Sequence, residues 1–286
     1  MLAQLPDKKT VKKKLRRYLK AQSTIHHWMG LKINQEFGFY IPYTFKKFLR
    51  VPTENDHIQW ITDHFNQRES IFLENIKAAS QYKERFQDFK QANSENVNQP
   101  RLNSNWFPGM DGAMAYTLIR THKPKKIIEV GSGHSTRFLR QAVTDGGFDC
   151  HIHSIDPEPR REIDLICDQI TRGTVTEVSP SIFKDLGESD VLFIDCSHIA
   201  MPGSDVDFLF TEVLPLLNKG VLIHIHDIFL PFGYPESWHW RGYNEQMLLA
   251  SLMGVKGAFD VLWPSYFMRK NYRRELEDLG VNKNPE

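Results

Sequence analysis

The chain has 286 residues, 41% apolar and 25% charged, enough for one large domain plus an extension. No apolar run approaches the roughly 20 residues that cross a bilayer, and the N-terminus lacks the apolar core of a signal peptide. Three scattered cysteines (Cys150, Cys167 and Cys196) make neither a disulfide framework nor a zinc knuckle, so a reduced, cytoplasmic protein is expected.

The net charge of +1 hides an asymmetry. Residues 1–52 carry 12 Lys/Arg against two acids, Asp7 and Glu36, and the remainder carries 24 basic against 33 acidic residues. An acidic body argues against a nucleic-acid substrate. Val11, Leu15, Tyr18 and Leu19 fall on one helical face surrounded by Lys12, Lys13, Lys14, Arg16, Arg17 and Lys20. Two readings stay open for this helix. One is peripheral contact with an anionic membrane or a polyanionic partner; the other is packing on its own domain or on a second subunit of a homo-oligomer. Gly38 to Phe45, aromatic and punctuated by Gly and Pro, reads as a packed loop.

From Glu54 to Asn98 there is neither glycine nor proline, and Ile58, Ile61, Phe65, Phe72, Ile76, Ala79, Phe86 and Phe89 recur at three, four or seven residues. That spacing predicts one long helix or two abutting ones, with Thr53 and Asp56 as capping residues. Gln91 to Asn105 reads as a linker, giving a helical extension over 1–100 and a main domain over 101–286. Trp106-Phe107-Pro108-Gly109-Met110-Asp111 leads into a helix from Ala113 to His122, and Trp106 or Phe107 is placed either over a ligand or as a hydrophobic plug.

Lys126-Ile127-Ile128-Glu129-Val130-Gly131-Ser132-Gly133-His134-Ser135 is an apolar run ending in an acid, then two glycines, then a helix-compatible segment. This is the strand, tight turn and helix N-terminus of a nucleotide-binding α/β unit. A side chain at Gly131 is expected to occupy the ligand's space. Thr136 stands where the dinucleotide fingerprint needs a small residue. A second strand, His151 to Ile155, ends in Asp156, placed to bind ribose hydroxyls. Beyond it the sequence predicts a helix over 160–171, a third strand over 174–178 and a fourth, Asp190 to Ile194, ending in Asp195. A helix over 205–217, a fifth strand from Gly220 to Asp227, a helix over 243–253 and a last strand over 259–263 follow. Strands alternating with helices imply a mostly parallel sheet covered on both faces. Asp195 and Asp227 are then expected to face one another across adjacent strand ends, sharing a proton or a cation.

The acid-x-Gly-x-Gly turn and the acid at the second strand's end resemble class I S-adenosylmethionine (SAM) methyltransferases. With Phe193-Ile194-Asp195-Cys196-Ser197-His198, His224-Ile225-His226-Asp227 and Tyr243-Asn244-Glu245-Gln246, residues 106–267 resemble an uncharacterised bacterial branch of them. More distantly they resemble metal-dependent sugar O-methyltransferases of macrolide biosynthesis. The resemblance implies a Rossmann-like fold and SAM held by Glu129, Gly131, Ser132, Gly133, Ser135, Asp156 and Asp195. It also implies a divalent metal at Asp195 and Asp227, with His226 in place of one carboxylate favouring a softer ion or none. His198, three residues after Asp195, is the expected base, with His226 second. His224 reads as a core residue, and Glu245 either orients the acceptor or caps its helix. The expected activity is O-methylation of a small-molecule or glycan hydroxyl. The competing readings are a catalytically silent SAM-binding scaffold and an NAD(P)-dependent oxidoreductase, which Thr136 disfavours.

Overall fold

The computed structural model describes residues 43–92, 98–107, 109–255 and 257–281. The basic segment of residues 1–20 and most of the aromatic loop before Tyr43 lie outside them. The chain divides into two compact units, residues 1–51 and 52–286. Of the first, the described part carries a single 3₁₀ turn, Lys46–Phe48. The unit boundary therefore lies at 51/52, whereas the linker composition placed it near residue 100.

The second unit opens with three helices, α1 (Gln59–Asn66), α2 (Glu69–Ser80) and α3 (Lys83–Gln91). Their buried positions are all among the predicted ones, Ile61 and Phe65, then Phe72, Ile76 and Ala79, then Phe86 and Phe89, whereas Ile58, also placed on that face, is 40% exposed just ahead of α1. In place of the one long helix or two abutting ones expected, there are three, with breaks at residues where tertiary contacts override local propensity. Arg68 donates from Nε to the Val261 carbonyl (3.0 Å) and from Nη1 to Asp260 (2.8 Å), and the Tyr82 ring packs edge-on against Tyr116. Asp56 closes a turn with Thr53 rather than capping a helix: the Thr53 amide donates to Asp56 Oδ2 at 3.1 Å, and α1 begins three residues later.

Next come α4 (Gly109–His122), β1 (Lys126–Val130), α5 (His134–Gly146), β2 (His151–Ile155), β3 (Gln169–Thr171) and β4 (Val191–Ile194). They are followed by α6 (Asp205–Phe208), which runs on through a π turn and a 3₁₀ turn to Leu216, and by β5 (Leu222–Ile225), α7 (Glu245–Met253), α8 (Ser265–Asn271) and α9 (Arg273–Glu277). The five strands form one parallel sheet in the order β3-β2-β1-β4-β5. Side chains alternate across it with the strand's period of two. Ile127, Val191 and Phe193 join the core shared with the helices from α1 to α5, and Ile128, Val130, Leu192 and Ile194 join a second core on the other face.

Three expected elements are different. Residues 160–168 are turns and bends rather than helix, because Arg140 takes the Ile166 carbonyl (2.8 Å) and the Asp168 carboxylate takes the Ile152 amide (2.7 Å). The third strand is Gln169–Thr171; the β-branched run after it forms a 3₁₀ turn, Val175–Glu177, closed by the Thr174 amide donating to Glu177 Oε2 at 2.8 Å. Residues 259–263 form no strand: the carbonyls of Val261 and Leu262 accept from Arg68 and Asn75 instead of from a neighbouring strand.

Candidate functional site

The register aligns Val130 with Ile155 on one side and Ile194 on the other, and Ile194 with Ile225. The next residues, Gly131, Asp156, Asp195 and His226, therefore emerge side by side at the carboxyl edge, where the strand order reverses. This is where open α/β sheets bind ligands. A cavity of about 390 Å³ opens there, lined among others by Gly131, Ser132, Asp156, Arg160, Asp195 and Cys196.

The glycine turn is built from inside. Gly131 has φ +80°, and a Cβ on it would lie 1.8 Å from the Asp195 carbonyl oxygen, so the neighbouring strand end by itself requires glycine here. Glu129, with no exposure, lies beneath the turn and accepts from the Ser135 hydroxyl (2.7 Å) and the Thr136 hydroxyl (2.6 Å). Thr136 Oγ1 in turn accepts from the Gly133 amide (2.9 Å). Burial, opposed by those two hydroxyls, pushes the Glu129 carboxyl up to about 8. Glu129 and Ser135 thus brace the turn, while Gly131, Ser132, Asp156 and Asp195 line the cavity. Asp156 accepts from the Ser132 amide at 2.6 Å and from the Glu158 amide at 2.8 Å, tying the first loop to the second.

Beyond β4 and β5 lies a cluster of two histidines and four carboxyl groups. His198 Nε2 is 3.2 Å from Asp195 Oδ1 and 3.6 Å from Asp227 Oδ2, and its Nδ1 is 2.9 Å from Glu245 Oε2. His226 Nδ1 is 3.3 Å from Asp195 Oδ1 and 3.5 Å from Asp227 Oδ1, and its Nε2 is 3.7 Å from Asp111 Oδ2. Asp195 and Asp227 thus each lie within 3.6 Å of both imidazoles. His198 and Asp227 both adopt left-handed backbone, with φ +61° and +54°, an unfavourable state that structures keep at working sites. His198 is only 3% exposed.

Burial pulls the His198 imidazole down, but its bonds to Asp195 and Glu245 outweigh that and raise it to about 9. For His226, burial is outweighed by Asp195 and Asp111, and its pKa rises well above the ordinary value. Asp195, despite burial, is held far below the carboxylate range by His226 and His198. Asp227 and Glu245 are raised by burial, against the pull of those imidazoles on Asp227 and of His198 on Glu245. His224 stacks flat on Phe193 at 4.0 Å, and burial lowers it to about 4.

Residues 128–228 match the family model described as a methyltransferase domain. No curated protein matches the chain. Among solved structures, it is similar to the SAH-bound Podospora anserina methyltransferase PaMTH1 at 19% identity and TM-score 0.38, covering 63% of this chain and 80% of that one. Apo CmcI-N160 aligns at 18% identity and TM-score 0.32, covering 49% of this chain and 60% of that one. CmcI-N160 with SAH aligns at 15% and 0.34, covering 60% and 80%.

The histidine–carboxylate cluster holds two contacts that sequence reasoning left out. Asp111, at the start of α4, reaches His226, and Glu245, at the start of α7, holds His198 rather than capping its own helix. Their spacing to the histidines spans more than 40 residues, so only the fold brings them together. As for a metal, no group of three or more His, Cys, Asp or Glu side chains among the described residues is arranged to hold an ion. The carboxylates of Asp195 and Asp227 are instead turned toward imidazole nitrogens.

Proposed function

We propose that the chain is a SAM-dependent methyltransferase that methylates a hydroxyl of a small-molecule or sugar acceptor, with His198 as the base. The observation that carries this reading is the buried Glu245–His198 pair, set beside Asp195 at the edge of the cofactor cavity. Gly131, Ser132 and Asp156 give the cleft the glycine turn and acidic strand end that suit an adenosine ribose. Bound there, SAM supplies an electrophilic methyl group on a sulfonium.

His198 takes the acceptor's proton at Nε2 while its Nδ1–H donates to Glu245, which fixes the ring and stabilises the imidazolium that forms. A base with a pKa near 9 is protonated at neutral pH, so it must first release a proton. A sulfonium placed near Asp195 favours that release, since a nearby positive charge disfavours a second one. The acceptor meets an aromatic wall: Tyr243 lies 4.6 Å from the His198 ring, and Trp238 and Tyr234 contact Tyr243. Such a wall suits the apolar face of a sugar or a small ring.

Tritium transfer from labelled SAM to a panel of hydroxyl acceptors tests the reading. Transfer that is absent for every acceptor while SAM still binds would favour the silent scaffold. The same assay after EDTA dialysis tests the metal role that the resemblance gives to Asp195 and Asp227.

A further inference from the structure

On the other side of the glycine turn the charge reverses. Arg137 projects from the first turn of α5 and is 1% exposed. Its Nη1 lies 3.4 Å from His134 Nδ1, and its buried Nε has no partner. Arg161 Nε lies 3.0 Å from the other nitrogen, His134 Nε2. Arg101 Nε is also buried without a partner. Arg160 lines the cofactor cavity and is held by the Trp106 ring, 4.3 Å away; its Cβ stands 3.4 Å from where a Cβ on Gly133 would be.

Elsewhere, Arg68, Arg85, Arg140, Arg172 and Arg273 each face a carboxylate. Among the described residues, no ion pair joins Arg101, Arg137, Arg160 or Arg161 to an acid. A buried guanidinium without a counter-charge is costly. The neutral imidazole between two of them has one lone pair, so it can accept from only one arginine and must turn its own N–H toward the other. Burial, then Arg137, Arg161, Arg101 and Arg160, lower His134 to about 4, so the ring stays neutral beside the arginines. The constellation therefore gathers positive charge and buried donors with no acid of its own among the described residues.

We propose that Arg101, His134, Arg137 and Arg161, with Arg160 at the cavity mouth, form a subsite for a phosphate-type dianion carried by the methyl acceptor. The proposal rests on the methyltransferase reading above for the word acceptor, but not for the anion. Guanidinium forks match phosphate oxygens two by two, and the free amides at the start of α5 add to the attraction. The cofactor's own α-carboxylate is a poorer occupant, because its adjacent ammonium would be pressed against arginines and its single charge leaves most of the cluster uncompensated.

The test uses the full chain, with inorganic pyrophosphate as the probe, followed by calorimetry and ³¹P line broadening. Wild-type protein should bind pyrophosphate equally with and without SAH, and Arg137→Gln should weaken that binding at least tenfold while SAH affinity holds. Arg161→Gln and Arg101→Gln, at less buried positions, should weaken it several-fold and keep the test intact if Arg137→Gln does not fold. Pyrophosphate binding lost in these variants, in a protein that binds no SAH, supports the subsite and refutes the methyltransferase reading alone. No pyrophosphate binding by wild type, or wild-type binding by all three variants, overturns the subsite. If the variants weaken SAH but not 5′-methylthioadenosine, which lacks the carboxylate, the arginines hold the cofactor and the acceptor proposal fails.

Discussion

Oε2 of Glu245 lies 2.9 Å from Nδ1 of His198, although 47 residues separate them, and Glu245 has no exposure at all. A carboxylate placed there sets the tautomer of the ring, fixes its plane and raises its affinity for a proton. His198→Ala should lower methyl transfer by roughly 10²–10⁴-fold, the usual worth of an acid–base group, with SAH affinity unchanged. Glu245→Gln keeps the volume and an acceptor but removes the charge, so it should cost less than His198→Ala. Its distinguishing mark is a lower His198 pKa, read by NMR titration. An unchanged titration in Glu245→Gln would mean that the pair is packing only.

The same pair sets a pH dependence. A base held near 9 must be neutral to act, so transfer should rise with pH and level off above about 9, and Glu245→Gln should move that limb toward lower pH. The effect on stability has the opposite sense. The folded pKa lies above the unfolded value near 6.5, so this group's contribution is fully present below that value and is lost as pH rises through about 9. Rate profiles for wild type and Glu245→Gln, measured beside urea midpoints over the same range, check both signs. A flat rate profile from pH 6 to 10 would remove His198 as the base.

Glu129 makes a second, separable prediction. Its carboxyl, fully buried beneath the turn, is pushed up to about 8 from an ordinary value of 4.5. The folded state therefore binds the proton more tightly between those values, and stability from this group is greatest below about 4.5 and declines as pH rises through about 8. Glu129→Gln should be nearly neutral at pH 6 and should flatten that decline. Glu129→Ala should destabilise at every pH, because the hydroxyls of Ser135 and Thr136 lose their acceptor. Urea melts at pH 5, 7 and 9 decide it.

The edge of the sheet was readable because its physics is local. Apolar runs at Ile127, Ile152 and Val191 end at the residues that emerge into the cleft, and the glycine turn sits where β1 stops. What escaped was non-local or ambiguous. Thr174-Val175-Thr176-Glu177-Val178 is β-branched like a strand, yet Thr174 and Glu177 are also a capping box, and the box won. The breaks at Arg68 and Tyr82 carry no glycine or proline; they follow from contacts with Val261, Asp260 and Tyr116, far along the chain. The arginine cluster was illegible for the same reason, since its members come from the segment before α4, the start of α5 and the loop after β2.

Gly131 joins the fold to the site, and it supplies the last prediction. Its positive φ alone costs an L-residue roughly 1–2 kcal/mol, and the added Cβ would stand 1.8 Å from the Asp195 carbonyl oxygen. That oxygen belongs to the residue whose carboxylate faces both His198 and His226, and whose amide holds the Val130 carbonyl at 2.9 Å. Relief of the clash must therefore push the end of β1 away from the end of β4. Gly131→Ala should lower the denaturation midpoint, weaken SAH binding at least tenfold and shift the His198 titration, three effects with one cause. Gly147 offers a control: it too has positive φ, +60°, but a Cβ there meets nothing within 4 Å. Gly147→Ala should show only the backbone cost, with SAH binding and the His198 titration as in wild type. If Gly131→Ala behaves like Gly147→Ala, the contact between Gly131 and Asp195 does not couple the two strand ends.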